Sequence, residues 1–195
     1  NNAARTYSIW AFRNGDGGTG RMFDKRTSAG QFELLLNEGV TNNEYQFGRA
    51  WTTTSGVWGF PRPSNGLWHH ILVTYIGTAV TNAPVAYVNG VSQTVTTRTA
   101  ASGTPILDGT EAYVLGNRTN DSARVWDGSL AEFAVYDAIL DQAEITALSQ
   151  GFSPMLIRPV SLTEYLPLVA GLMSRKLAVA TVGGTPKVVV HPRMF

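Results

Sequence analysis

The stretch Trp68-His69-His70-Ile71-Leu72-Val73-Thr74-Tyr75 decides the fold. Aromatic and β-branched residues dominate it, and such residues are favoured on the pleated surface of a sheet. Further along, Val85–Val88 is followed by Asn89-Gly90 and then by Val91–Val95. An Asn-Gly pair between two apolar runs predicts a two-residue hairpin, because both central residues of that turn need a positive φ. The centre of the chain is therefore predicted to be β-structure.

Strand signals continue on both sides of this region. Tyr7–Phe12 is apolar on both of its faces, which predicts a central strand covered on two sides. One short helix is predicted after Asp141, since Asp141 and Glu144 form a capping box and Gly151 can end the helix. Many short strands with turns between them predict an all-β, two-sheet antiparallel sandwich. The other predicted strands are Arg21–Asp24, Phe32–Asn37, Tyr45–Trp51, Val57–Phe60, Ala112–Gly116 and Gly128–Tyr136.

Composition excludes several classes of function. The chain has 195 residues and no Cys, which excludes a disulfide scaffold, thiol catalysis and Cys-ligated zinc. Its net charge of +1 argues against a dedicated nucleic-acid binder. No apolar run approaches the roughly 20 residues that a membrane-spanning helix needs. We therefore expect neither a nucleic acid nor a membrane as a partner.

Charge is distributed unevenly along the chain. Residues 1–151 hold 10 basic and 13 acidic side chains, whereas residues 152–195 hold five basic and one acidic side chain. This asymmetry predicts two parts, a sandwich over 1–151 and a C-terminal extension over 152–195.

Several motifs follow one another in a familiar order: Ala86-Tyr87-Val88-Asn89-Gly90, Val114-Leu115-Gly116, Asp127–Asp137 and Leu140–Ile145. Together with Trp68–Tyr75 they resemble the laminin-G-like, concanavalin A-like lectin/glucanase jelly roll, over roughly residues 5–151. The resemblance implies the jelly-roll fold. Because this superfamily includes lectins, hydrolases, adhesion modules and virion proteins, it does not imply one function.

The glucanase branch of that superfamily uses a strand with the pattern Glu-x-Asp-x-x-Glu, which places carboxylates on one face. This chain lacks the pattern. Glu33 and Glu38 flank Leu35 where an Asp would be needed, and Glu132 is followed by Ala134 and Asp137. The chain is therefore predicted not to be an enzyme.

No cofactor is predicted. His69 and His70 are consecutive on a strand and face opposite sides of the sheet, so both are interpreted as structural, and His191 lies in the tail. The Gly15–Gly20 loop lacks the spaced acidic residues of a calcium loop. Some relatives bind calcium through distant carboxylates, but the spacing of the corresponding candidates does not show that they converge: Asp24, Asp108 and Asp127.

Four aromatic residues are candidates for a sugar platform, because the C–H faces of a pyranose pack on aromatic rings. They are Trp51, Trp58, Phe60 and Trp126. The alternative is that they belong to the core, as we expect for Trp10 and Trp68, or to a protein interface.

The extension contains Tyr165-Leu166-Pro167-Leu168, which resembles the opening strand of the family. It can add a strand to its own sandwich or to that of a neighbouring copy; equally, the opening strand of the family can precede Asn1. The apolar runs of the extension predict that it is buried against something. The residues predicted to act in assembly are Arg158, Tyr165, Leu166, Leu168, Val189, Arg193 and Phe195.

These observations lead to two hypotheses. The first is a non-enzymatic phage virion structural protein on the particle surface, such as a capsid decoration, head-fibre or tail component. Its partners would be other virion proteins, copies of itself and host surface glycans. The alternative is a carbohydrate-binding lectin module for attachment to cell-surface glycans.

Overall fold

The computed structural model describes residues 4–15, 19–26, 32–39, 43–106, 111–118, 124–168 and 189–190. Their strands are β1 (Ala4–Arg13), β2 (Arg21–Arg26), β3 (Phe32–Glu38), β4 (Glu44–Arg49), β5 (Gly56–Pro61), β6 (Trp68–Ile76), β7 (Val85–Val88), β8 (Val91–Gln93), β9 (Thr96–Thr99), β10 (Val114–Leu115), β11 (Gly128–Tyr136), β12 (Leu162–Leu166) and β13 (Val189–Val190). One helix, α1 (Gln142–Ser149), follows β11, and two 3₁₀ turns precede β12 at Pro154–Leu156 and Pro159–Ser161.

The strands form two packed sheets. The six-stranded sheet has the order β12-β11-β1-β6-β7-β8, and the seven-stranded sheet has the order β13-β10-β2-β3-β4-β5-β9. Neighbouring strands are antiparallel, except that β13 runs parallel to β10. The predicted all-β sandwich with one short helix is confirmed.

The main core lies between the sheets and is rich in aromatic rings. Tyr7 of β1 packs on Phe23 and Phe47 of the opposite sheet, with ring centroids 5.5 and 5.8 Å apart. Burial of each such side chain stabilises the fold by about 1.5–3 kcal/mol. A smaller core lies on the outer face of the six-stranded sheet, where Ile145 and Leu148 of α1 are buried. This sheet is therefore covered on two sides along part of its length, but the outer apolar residues of β1, Trp10 and Phe12, are only partly buried, so the prediction that β1 is covered on both sides is not fulfilled there.

The helix begins and ends as its sequence predicted. The Asp141 carboxylate accepts from the Glu144 N–H at 3.0 Å, and the Asp141 N–H donates to the Glu144 carboxylate at 2.8 Å. At the other end Gly151 has a φ of 86° and its N–H donates to Leu148, while the Phe152 N–H donates to Ala147. These bonds form a Schellman motif, in which glycine is favoured because its φ is positive. No described helix is long and apolar enough to span a membrane.

The Asn-Gly hairpin is also confirmed, with φ values of 50° at Asn89 and 79° at Gly90 between β7 and β8. Strand β9 was not predicted. Its sequence, Thr-Thr-Arg-Thr, is exposed throughout and has no apolar alternation, and it lies at the edge of the seven-stranded sheet. An edge strand that is polar on both faces has no periodic hydrophobic signal.

The C-terminal extension adds a strand to its own sandwich. β12 pairs antiparallel with β11, and Tyr165 lies opposite Ala134. Tyr165 donates to the Glu132 carboxylate at 2.6 Å, and Leu166 and Leu168 pack against the main core. Of the alternatives for this segment, the structure therefore shows the one in which it pairs within its own sandwich.

Of the remaining residues predicted to act in assembly, only some lie within the described part of the chain. Val189 pairs with Val114 in the short parallel β10–β13 ladder, while Arg193 and Phe195 lie outside the described residues.

Candidate functional site

The predicted sugar platform is corrected by the structure. All four side chains are buried: Trp51 is 3%, Trp58 2%, Phe60 2% and Trp126 3% exposed. Trp58 packs on Tyr75 with ring centroids 5.4 Å apart, and the Trp126 indole N–H donates to the Phe12 carbonyl oxygen at 3.1 Å. Trp58, Phe60 and Trp126 belong to the main core between the sheets, and none of the four buried side chains offers a face to a sugar.

The exposed aromatic surface lies instead on the outer face of the six-stranded sheet. Trp68, which was expected in the core, is 45% exposed. It lies opposite Phe12, with ring centroids 5.8 Å apart, and Trp10 lies opposite His70, with ring centroids 5.4 Å apart. We call Trp10, Phe12, Trp68 and His70 the aromatic block.

Strand alternation explains how these four residues reach one face. Successive side chains of a strand point to opposite sides of the sheet. Ile9 and Ala11 of β1 and Ile71 of β6 lie in the main core, so the residues between and beside them point outward. α1 covers the part of this outer face near Leu72, whereas Trp68 is exposed and Trp10 and Phe12 are partly buried. This alternation was the signal in the sequence that could have identified Trp68.

Small residues of β11 lie beside the aromatic block. Ser129, which pairs with Phe12, is exposed, and Ala131 pairs with Trp10. Gly128, at the start of β11, has a φ of 153°, and a Cβ at this position would lie only 1.9 Å from the Phe12 carbonyl oxygen. β11 therefore approaches β1 closely here, and Ser129 and Ala131 place only small side chains beside Phe12 and Trp10.

His70 forms the buried floor of the block. Its Nε2 lies 2.8 Å from the Ser8 hydroxyl oxygen, and its backbone N–H donates to the Asn89 side-chain oxygen at 2.9 Å. Burial lowers the pKa of His70 to about 4, which keeps the ring neutral at pH 7. Ser8 is 1% and His70 0% exposed, and the Nδ1 atom has no hydrogen-bond partner. A catalytic Ser–His pair needs access to substrate and a group that orients the ring, so this pair is structural.

His69 and the carboxylates also have structural surroundings. His69 contacts the Ser64 carbonyl oxygen at 3.1 Å and the Asn89 side chain at 3.1 Å. Asp24 is fully buried and contacts arginines, Asp127 accepts from Asn14 at 3.2 Å, and Asp108 lies outside the described residues. Over the part of the chain that the structure describes, no three His, Asp or Glu side chains converge on a metal position.

The family of the chain can now be stated. The sequence profile of the concanavalin A-like lectin/glucanases superfamily matches residues 1–146, and the chain belongs to this superfamily. No curated protein sequence matches the chain.

Solved structures share the fold at low identity. A suspected carbohydrate binding protein from Bacteroides ovatus is 16% identical with a TM-score of 0.63, and the match covers 89% of this chain and 47% of that one. The heptameric SAP-like pentraxin of Limulus polyphemus is 14% identical with a TM-score of 0.55, covering 75% and 71%. The enzymatically active domain of bacteriophage CBA120 tailspike protein 2 is 12% identical with a TM-score of 0.55, covering 85% and 26%. This chain thus spans about half of the first of these proteins, and at such identities the likeness concerns the fold alone.

Proposed function

We propose that the chain is a non-enzymatic carbohydrate-binding module whose ligand packs on the aromatic block. The observation that carries this proposal is the half-exposed ring of Trp68 beside Phe12. The exposed part of an aromatic ring presents an apolar face that matches the C–H face of a sugar.

The placement of the block on strands supports the same function. Phe12 and Trp68 belong to two central strands, β1 and β6, which pair with each other along their whole length. Binding residues on a rigid sheet lose little conformational entropy when a ligand binds. The superfamily includes lectins, and the Bacteroides ovatus protein with this fold is suspected of binding carbohydrate.

The test is a glycan array followed by calorimetry with the best glycan. Trp68→Ala is expected to weaken binding by about tenfold or more, since it removes the exposed stacking surface. Phe152→Ala is the matched control, because Phe152 is 54% exposed and lies outside the block. Retention of full affinity by Trp68→Ala, or the absence of any glycan ligand for the unsubstituted chain, would contradict the proposal.

A second proposed function, taken from the sequence, is assembly into a phage virion as a surface structural protein. A specific feature favours an assembly role: four apolar side chains close together in sequence are exposed, namely Phe152 (54%), Met155 (61%), Leu156 (72%) and Val160 (94%). Exposed apolar clusters mark interaction surfaces in soluble proteins. The fold shared with a phage tailspike domain is compatible with this role.

Light scattering coupled to gel filtration tests the assembly role. The full chain is expected to form a defined oligomer, and Leu156→Asp with Val160→Asp is expected to yield a folded monomer. Val91→Asp, at a 65% exposed position on β8, is the control that should keep the oligomer. If the full chain is monomeric at every concentration, it does not self-associate, and this result would contradict the proposed assembly role.

A further inference from the structure

Strand β11 carries an extra residue beside the aromatic block. The register between β11 and β1 shifts on passing from Ala131 to Ala134. Two residues of β11, Glu132 and Phe133, therefore lie opposite one residue of β1. Phe133 is fully buried in the main core, which makes Glu132 the extra residue of a β-bulge. A bulge re-aims a side chain, and bulges are frequent next to functional sites.

The backbone of Glu132 has a conformation that its residue type disfavours. Its φ is 51°, in the left-handed region that glycine and asparagine tolerate better than glutamate. Its N–H donates to the Pro167 carbonyl oxygen at 3.0 Å, so the chain just beyond β12 holds this conformation in place. Strained residues of this kind concentrate at ligand-binding and catalytic sites. Because glycine would meet the backbone requirement better, the side chain of Glu132 is the part that calls for a role.

The Glu132 carboxylate has one partner in the protein. The Tyr165 hydroxyl donates to its Oε2 atom at 2.6 Å, and over the described part of the chain no other group bonds to this carboxylate. Burial raises the pKa of Tyr165 to about 12, and the hydrogen bond to Glu132 acts in the same direction, so the hydroxyl remains a donor at neutral pH. Both side chains are partly exposed. Tyr165 therefore orients the carboxylate, whose remaining lone pairs can accept from a ligand.

The carboxylate and the exposed ring of the block lie on the same face of the sheet. Tyr165 packs against the smaller core on the outer face, and Glu132 reaches its hydroxyl there. β6, β1 and β11 are neighbours, and Trp68 is level with Ser129. Trp68 and Glu132 are thus separated by roughly 10 Å across two strand spacings and by about 10 Å along β11. Trp10 lies between them, so a ligand that contacts both extends beyond one sugar ring.

We propose that Glu132 determines the specificity of the aromatic block, and that it selects a neutral oligosaccharide of at least two sugars. One sugar packs on Trp68, and hydroxyl groups of another donate to the Glu132 carboxylate, which is a strong acceptor because it is charged. An acidic sugar would meet a like charge at Glu132, and the residues of the block carry no positive charge at pH 7 to offset it. This inference rests on the proposed carbohydrate binding.

Calorimetry with a neutral oligosaccharide selected on the glycan array tests the inference. Glu132→Gln keeps the size of the side chain and removes its charge, and it is expected to weaken binding by about tenfold. Asp137→Asn is the matched control and should keep full affinity, because Asp137 is exposed and follows the end of β11 away from the block. Deoxy analogues of the glycan supply a second readout. The analogue that lacks the hydroxyl bound by Glu132 should lose about tenfold on the unsubstituted chain and clearly less on Glu132→Gln.

The unsubstituted chain is also titrated with the corresponding sialylated oligosaccharide and with the monosaccharide, so that the outcome does not depend on how a variant folds. The neutral oligosaccharide is expected to bind more tightly than either by about tenfold or more. Equal affinities for the three, or full affinity in Glu132→Gln while Trp68→Ala loses it, would overturn this inference and leave the proposed function in place. Absence of any glycan ligand, or full affinity in Trp68→Ala, would instead contradict the proposed function itself.

Discussion

Arg158 donates two hydrogen bonds of 2.7 Å to the Glu144 carboxylate, which is the same carboxylate that accepts from the N-cap of α1. A third bond runs from Arg158 to the Ile139 carbonyl oxygen at 3.1 Å. Arg158 was expected to act in assembly. In the structure it connects the segment before β12 to the helix of its own sandwich.

Arg158→Ala is therefore expected to destabilise the chain by about 1 kcal/mol, a modest value because both partners are partly exposed. The measurement is urea unfolding. Arg158→Lys keeps the charge but cannot make the paired bonds. Its stability should therefore lie between that of the unsubstituted chain and that of Arg158→Ala. An unchanged unfolding midpoint in Arg158→Ala would show that the contact contributes nothing to stability.

His70 is expected to make stability depend on pH. Its pKa falls from 6.5 in the unfolded chain to about 4 in the buried site. Between these values the unfolded chain binds a proton that the folded chain does not, so the free energy of unfolding decreases as the pH falls from 6.5 to 4. The expected loss attributable to this residue is about 3 kcal/mol.

The measurement is the free energy of unfolding of the unsubstituted chain and of His70→Gln at a series of pH values. The difference between the two should change over this window, because the other titrating groups are common to both. A constant difference between the unsubstituted chain and His70→Gln would contradict the prediction.

Replacing Trp58 by Ala is expected to lower the stability of the chain much more than replacing Trp68 by Ala. Trp58 is 2% exposed, so Trp58→Ala should cost about 3–5 kcal/mol by leaving a cavity between the sheets. Trp68 is 45% exposed, so Trp68→Ala should change stability by no more than about 1 kcal/mol. Urea unfolding of the two variants tests this, and equal losses would contradict the assignment of Trp58 to the core and Trp68 to the surface.

Local patterns identified most of the strands, the capped helix and the Asn-Gly hairpin, since each depends on residues close together in the chain. The site depends on contacts between distant residues. Trp126 is buried because its segment crosses near Gly20, where a Cβ would lie 2.9 Å from the Trp126 Cα. Trp51 lies in an isolated bridge with Pro105, outside any strand. The alternation in β6 indicates that Trp68 faces the outer side of the sheet. Only the structure shows that α1 packs near Leu72 and that Trp68 is exposed to solvent.

The last prediction concerns the end of the sandwich. β12 covers the edge of β11, the Thr163 hydroxyl donates to the Val135 carbonyl oxygen at 3.1 Å, and the Tyr136 hydroxyl donates to the Pro154 carbonyl oxygen at 3.1 Å. A chain ending at Gly151 loses these bonds and exposes the apolar surface beneath Leu166. It is expected to be less stable by on the order of 4 kcal/mol.

A chain ending at Leu168 is the matched control, because it keeps β12 and removes, among the described strands, only the two-residue β13. Its urea midpoint should stay close to that of the full chain, whereas the midpoint of the shorter chain should fall. Equal midpoints for the two truncated chains would show that β12 contributes little to folding. Residues 152–168 would then be free to pair with another copy, which is the intermolecular alternative that the sequence left open.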